Sequence, residues 1–285
     1  MFEYLIDKIE KAKFFSDPFK HLMIEDFFSD EDFSLIRSDS QIHFGTVDNN
    51  TDLRRTLKEE GYVPINFPGC TTSEDDYFSS LESNKWEDIE KNNNHYDKDL
   101  SKDLEGYGVT YRLDNIKNEK LSSLINFLNS REFHQCLRDK FEIHDATSII
   151  MKFQKNLTKY EISPHTDIRQ KALTMLINTN VERSTDINSE DFNTHLLSYS
   201  EEKSHVKNFW NNNQNLQRCW IPWSWCTTEK LFTKNNSFLI FSPSNDTLHA
   251  VRLNYDHLQF QRTQIYGNLM YLGGSYKNIS YKDIR

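Results

Sequence analysis

Cysteine, proline and glycine are scarce in this chain: its 285 residues hold four, six and eight of them. The four cysteines, Cys70, Cys136, Cys219 and Cys226, show no Cys-x-x-Cys spacing. That argues against a thiolate zinc site or a disulfide framework and for reduced thiols. No stretch reaches the ~18 apolar residues that a membrane span requires. The opening MFEYLIDKIEKAKFF is broken by acids and does not read as a secretory signal. A cytoplasmic, intracellular protein with no membrane association is expected. Positive charge is also short, with 34 Lys and Arg against 43 Asp and Glu, a formal net charge of −9. Such a chain repels a phosphate backbone, so no extended nucleic-acid binding is expected. The imbalance is uneven: residues 1–150 carry 18 basic and 31 acidic side chains, and residues 151–285 carry 16 and 12. No internal repeat and no HExxH helix is present.

Aromatic residues are plentiful. Mean hydropathy is only −0.75, yet 20 Phe, 13 Tyr and 5 Trp provide the large apolar bodies of a folded core. Residues 2–15 read as a short amphipathic helix ended by Pro18, followed by a strand at His21–Ile24 and a helix capped by Asp30. Residues 38–110 read as loops, with one short helix around Trp86. At Asn118 a 3.6-residue period begins through Leu121, Leu124, Ile125 and Leu128, and after Asn129-Ser130 it resumes through Phe133, Leu137 and Phe141. The period then changes to that of strands at 148–153, 171–177, 237–241, 248–253, 260–266 and 269–272. Between them lies a polar stretch, 181–217, read as an ordered insertion or a mobile loop. Helices followed by a run of strands argue for a β-rich α+β protein with a helix-backed sandwich or barrel.

Two His-x-Asp pairs occur, His95-Tyr96-Asp97 and His165-Thr166-Asp167, a spacing that chance readily supplies. His95 sits in a polar stretch with nothing rigid to hold a ligand. His165 follows Pro164 among strand candidates, where residues i and i+2 of an extended segment point the same way. His249 shares a face with Val251 and Leu253, so it should be buried and needs a hydrogen bond or a metal. Arg262 shares a face with Phe260, Gln264 and Tyr266. If that face is internal, its fixed charge needs an anion, either an internal carboxylate or a small-molecule one. Two histidines and one carboxylate form a facial triad that leaves iron positions open for a 2-oxo acid and dioxygen.

The segments KYEISPHTD…ALTMLIN (159–178), NNSFLIFSPSNDTLHAV (235–251) and FQRTQIYGNL (260–269), led by PFKHLMIEDFFSDEDF (18–33), resemble the Fe(II)/2-oxoglutarate-dependent dioxygenases, in particular the prolyl-4-hydroxylase-like branch. The resemblance implies one domain over 1–285, with a double-stranded β-helix (jelly-roll) core at 146–285 that carries the 181–217 insertion. Residues 1–145 would supply a strand, helices and irregular loops packed on that core. It implies iron bound by His165, Asp167 and His249, with 2-oxoglutarate held by Arg262 and Gln264. Dioxygen would be consumed, succinate and CO2 formed and an unactivated C–H hydroxylated, with ascorbate as a reductant. The expected partner is a small-molecule or peptidyl substrate. Many members have a hydroxyl residue where Gln264 stands. The nucleic-acid repair branch has a second arginine that the residues around Asn268 do not supply. Asp167 also separates the chain from halogenating members. Two alternatives stay open: a jelly-roll module that binds without turnover, and a cupin-like metalloenzyme that uses no 2-oxo acid. The Trp220–Trp225 segment could line a substrate mouth or pack as core. Arg169 and Lys171 could meet an anionic substrate or form a solvated edge.

Overall fold

The computed structural model describes residues 2–67, 70, 72–82, 106–181, 188–218 and 220–272. The His95–Asp97 pair, the helix expected around Trp86 and Cys219 lie outside them. Seven α-helices are described: α1 (Tyr4–Lys11), α2 (Asp30–Ser38), α3 (Asn50–Glu59), α4 (Glu74–Glu82), α5 (Glu119–Leu128), α6 (Arg131–Lys140) and α7 (His205–Asn212). The strands are β1 (His21–Ile24), β2 (Tyr62–Ile65), β3 (Gly106–Tyr107), β4 (Thr110–Leu113), β5 (Thr147–Asn156), β6 (Glu161–His165), β7 (Lys171–Asn178), β8 (Thr194–Tyr199), β9 (Cys226–Phe232), β10 (Ser237–Phe241), β11 (His249–Arg252) and β12 (Arg262–Tyr271). Cys70, Cys136 and Cys226 are free thiols. Among the described residues, no helix is long and apolar enough to cross a membrane.

Every pairing is antiparallel, and the strands form two sheets. The larger runs β1-β10-β7-β12-β5-β4-β2, the smaller β3-β6-β11-β8-β9. Alternation along the large sheet separates its faces. Met151, Phe153, Leu173, Met175, Ile177, Ile240 and Ile265 pack with the apolar stripes of the helices, such as Leu5 and Ile9 of α1 and Leu121 and Leu124 of α5. On the other face Leu176, Leu239 and Phe241 meet Leu196 of β8 and Phe232 of β9. The large sheet is thus the middle layer between α1–α6 and the small sheet, whereas α7 packs on the small sheet.

Local chemistry accounts for the element boundaries. Asn118 caps α5 by accepting from the Leu121 amide, and Ser130 caps α6 by accepting from the Phe133 amide at 3.2 Å. Ser29, not Asp30, caps α2, accepting from the Asp32 amide. Asp30 instead lies in the first turn, where its charge suits the helix dipole. The first helix stops at Lys11 because Phe15 exchanges backbone bonds with His21, which commits the chain to an extended path.

Four expectations change. Residues 38–110 are not all loop, since α3, β2, α4 and β3 fall there and β4 begins at Thr110. Their apolar faces are short: α3 buries Leu53 and Leu57, α4 Tyr77 and Phe78. The two segments 260–266 and 269–272 form one ten-residue strand, β12, paired with β5 from Arg262↔Asn156 to Tyr271↔Thr147. Gly267, between the two segments, marks a close approach of the strands. A Cβ there would lie 2.5 Å from both the Ile150 carbonyl oxygen and Met151 Cγ. The 181–217 stretch is not simply an insertion on the core, because it contains β8, which joins β11 to β9 inside the small sheet. Nor do residues 1–145 merely pack on the core: β1, β2 and β4 extend the large sheet and β3 the small one.

Candidate active site

His165 ends β6 and His249 begins β11, and the two are direct register partners across the antiparallel pair. Cross-strand neighbours on one face come into side-chain contact, and the ring centroids lie 4.2 Å apart. The chain then turns at Asp167, whose φ of 57° is a left-handed conformation that aspartate tolerates. The turn brings the carboxylate back over both imidazoles. Asp167 Oδ1 lies 3.6 Å from His165 Nε2, and Oδ2 3.5 Å from His249 Nε2. One ligand atom from each residue lies within 4.8 Å of the others, and all three residues are buried.

Hydrogen bonds orient the rings. His165 Nδ1 is 2.8 Å from the Ser163 carbonyl and His249 Nδ1 3.1 Å from that of Thr247. Each carbonyl takes the Nδ1 proton, which leaves an Nε2 lone pair aimed at the carboxylate. Lone pairs facing a carboxylate repel unless a cation lies between them. Burial, together with the neighbouring His165, pushes His249 down to about 3. Burial alone would raise the Asp167 carboxyl. Lys171, His249 and His165 outweigh that effect and hold it well below the usual carboxylate range. Two imidazoles and one carboxylate converging in a buried site suit a divalent first-row metal.

Sequence patterns alone did not show how firmly Asp167 is gripped. Lys171 Nζ donates to Oδ1 at 2.5 Å and the Thr174 hydroxyl to Oδ2 at 2.5 Å. Lys171 also donates to Tyr266 Oη at 3.1 Å. Burial lowers the Lys171 pKa, but Asp167 and Tyr266 outweigh it and hold the ammonium above its ordinary value. Lys171 is therefore not a solvated edge. Arg169 turns away, donating to the carbonyls of Leu216 and Trp210.

Arg262 faces the space between the sheets and is 2% exposed. Its Nη1 donates to Asn156 Oδ1 at 3.0 Å and its Nη2 to Thr194 Oγ1 at 2.9 Å. Both acceptors are neutral, and no carboxylate among the described residues pairs with it. Burial lowers its pKa to about 10, against the raising effect of Tyr255 and Tyr160. The internal acid that would have explained Arg262 is not among the described residues. Gln264 is buried on the same face and donates to Asn178 Oδ1 at 2.6 Å. The Trp-rich segment divides. Trp220 lies 4.3 Å, centroid to centroid, from the His165 ring, whereas Trp223 donates to Glu161 and packs near His195. Thr194 could not be anticipated, because β8 was hidden among polar neighbours. Thr174 and Asn178 left a signal, as polar positions in the otherwise apolar run of β7.

No family model and no curated protein matches the sequence. Several solved structures are similar to it. A prolyl-4-hydroxylase from Pseudomonas putida is 8% identical with a TM-score of 0.35, over 85% of this chain and 100% of that one. An oxidoreductase of the 2OG-Fe(II) oxygenase family from Burkholderia pseudomallei is 10% identical with a TM-score of 0.31, over 78% and 90%. HygX from Streptomyces hygroscopicus, with nickel, 2-oxoglutarate and hygromycin B bound, is 11% identical with a TM-score of 0.35, over 79% and 88%. With TM-scores below 0.5 they add no weight to a functional reading, which rests on the side chains.

Proposed function

We propose that this protein is an Fe(II)- and 2-oxoglutarate-dependent dioxygenase with a jelly-roll core, which hydroxylates an unactivated C–H bond while converting 2-oxoglutarate to succinate and CO2. The observation that carries the reading is that two complementary sites lie between the same two sheets. The His165–Asp167–His249 set converges three donors suited to one cation, and Arg262 is a buried cation that no carboxylate among the described residues meets. A dicarboxylate 2-oxo acid that chelates the metal at one end and meets Arg262 at the other satisfies both. This pairing favours the reading over a metalloenzyme that uses no 2-oxo acid, which would leave Arg262 unmatched.

A ferrous ion held by the triad would supply the redox chemistry that activates dioxygen. The chain's own contribution is positional. The Ser163 and Thr247 carbonyls fix both imidazoles with Nε2 inward, and Lys171 and Thr174 hold the Asp167 carboxylate in place. Asn156 and Thr194 set the direction of the Arg262 fork, which suits a carboxylate through two parallel N–H bonds. Burial keeps bulk water away from all four groups. The test is succinate release in air from protein supplied with Fe(II) and 2-oxoglutarate. Wild type is expected to form succinate, and Asp167→Ala and Arg262→Met to form little. A wild type that forms none, or an Asp167→Ala variant that forms as much, would overturn the reading.

A further inference from the structure

Arg112 is a further cation near this site, and one that the proposed reaction does not use. It lies on β4 between Tyr111 and Leu113, which are both buried in the core shared with the helices. Alternation therefore sends its side chain to the opposite face, toward the small sheet. Its register partner there is Gln154, and Arg112 Nε donates to Gln154 Oε1 at 3.3 Å. Gln154 Nε2 donates in turn to Asn156 Oδ1 at 3.3 Å, the same oxygen that accepts from Arg262. Two guanidinium groups thus sit on one chain of amides, with no carboxylate against either among the described residues.

Tyr266 ties Arg112 to the triad. The Arg112 Cζ is 5.7 Å from the Tyr266 ring centroid, and Lys171 Nζ, which grips Asp167, is 5.8 Å from the same centroid. Asp167 matches Lys171. On the oxygenase reading, the far carboxylate of 2-oxoglutarate matches Arg262, and the near carboxylate offsets one of the two charges of the ferrous ion. Among the described residues, one charge of the ion and that of Arg112 are left over, an excess that an anionic reactant would offset. Its Nη groups make no hydrogen bond among the described residues, and Nε is already fixed by Gln154. Among the described residues the four Nη N–H donors are left, two of them side by side on the planar edge that fits a carboxylate. Arg262 is nearly sealed, whereas Arg112 is half-buried. The reactant that binds later and leaves each cycle should meet Arg112.

We propose that Arg112 anchors the substrate, and that this substrate is a small organic acid whose carboxylate seats on the Nη edge while its C–H faces the triad. The proposal rests on the oxygenase reading above. The test uses the full chain with Fe(II) and 2-oxoglutarate, and a panel of free L-amino acids with their carboxamides as probes. The readout is the stimulation of succinate formation over each protein's own unstimulated rate. At least one acid is expected to stimulate wild type with its amide about ten- to a hundredfold weaker, the loss typical of a charged hydrogen-bonded contact. Arg112→Gln should abolish that preference and Arg112→Lys should retain part of it, with thermal melts confirming that both variants fold. Equal stimulation by acids and amides, an unchanged preference in Arg112→Gln, or no response to any acid would overturn the proposal. If the visible Fe(II)–2-oxoglutarate band fails to form in wild type, the oxygenase reading falls and this proposal with it. If the band forms without a carboxylate preference, this proposal falls alone.

Discussion

Replacing Arg262 with methionine should make the metal-free, ligand-free protein more stable while destroying its response to 2-oxoglutarate. Burial lowers the guanidinium from its ordinary 12.5 to about 10. At roughly 1.4 kcal/mol per tenfold, holding that charge between the sheets costs the fold on the order of 3 kcal/mol. Methionine removes this cost and fills much of the same volume, but it gives up the bonds to Asn156 and Thr194, worth about 1 kcal/mol each. The expected net gain is about 1 kcal/mol, a rise in Tm of roughly 2–4 °C for a chain of this size. Thermal melts of wild type and Arg262→Met, each alone and with Mn(II) plus 2-oxoglutarate, measure both effects. Wild type should gain Tm from 2-oxoglutarate by mass action, and the variant should not. A variant destabilised by several kcal/mol, or one that still gains Tm from 2-oxoglutarate, would refute the reasoning: Arg262 would then be a structural cation with an anionic partner inside the fold.

Other outcomes follow from the same geometry. Asp167→Ala should weaken Mn(II) binding, followed by calorimetry, by more than the roughly 10- to 100-fold that losing an outer partner of a ligand costs; unchanged affinity would place the metal elsewhere. Lys155 is fully buried over Phe44, donating to the Ile42 carbonyl and to Thr263, and burial lowers its pKa to about 7. Its folded value lies below its unfolded one, so the unfolded chain binds the extra proton between about pH 7 and 10.5. Wild-type stability, measured by urea unfolding, should therefore rise with pH across that window relative to Lys155→Met, by at most about 1.4 kcal/mol per pH unit; parallel curves would show that the ammonium has a hidden partner. Gly267→Ala should cost about 1–3 kcal/mol in the same assay, since its Cβ would press on the backbone of β5. Ser130→Ala should cost about 1 kcal/mol through loss of the α6 cap.

What the sequence made legible follows from where periodicity is strong. α5 and α6 could be read because four and three buried positions fall at helical spacing beside Asn118 and Ser130 caps. β10 could be read as a continuous apolar run, because it is buried along its whole length. α3 and α4 could not, because each buries only two or three side chains in a setting of acids and amides. β8 was obscured for a related reason. It is internal to the small sheet, but its neighbours in sequence are polar. At the site, His165, Asp167, His249 and Arg262 were visible as a spaced set. Register is what makes the set meaningful: His249 opposite His165 and Asn156 opposite Arg262 are facts of strand pairing that no linear pattern contains. Asn156, Thr194 and Arg112 stayed unread because their roles exist only once β4, β5, β8 and β12 surround one space.

The central claim is that one metal and one 2-oxo acid bind together between the two sheets. Anaerobic addition of Fe(II) and 2-oxoglutarate, followed by visible absorbance, tests it most directly. A weak band should appear only when both are present, saturate at one equivalent of each, and be lost in His249→Ala. A spectrum that stays flat with both added, or a band that survives the loss of His249, would contradict the account.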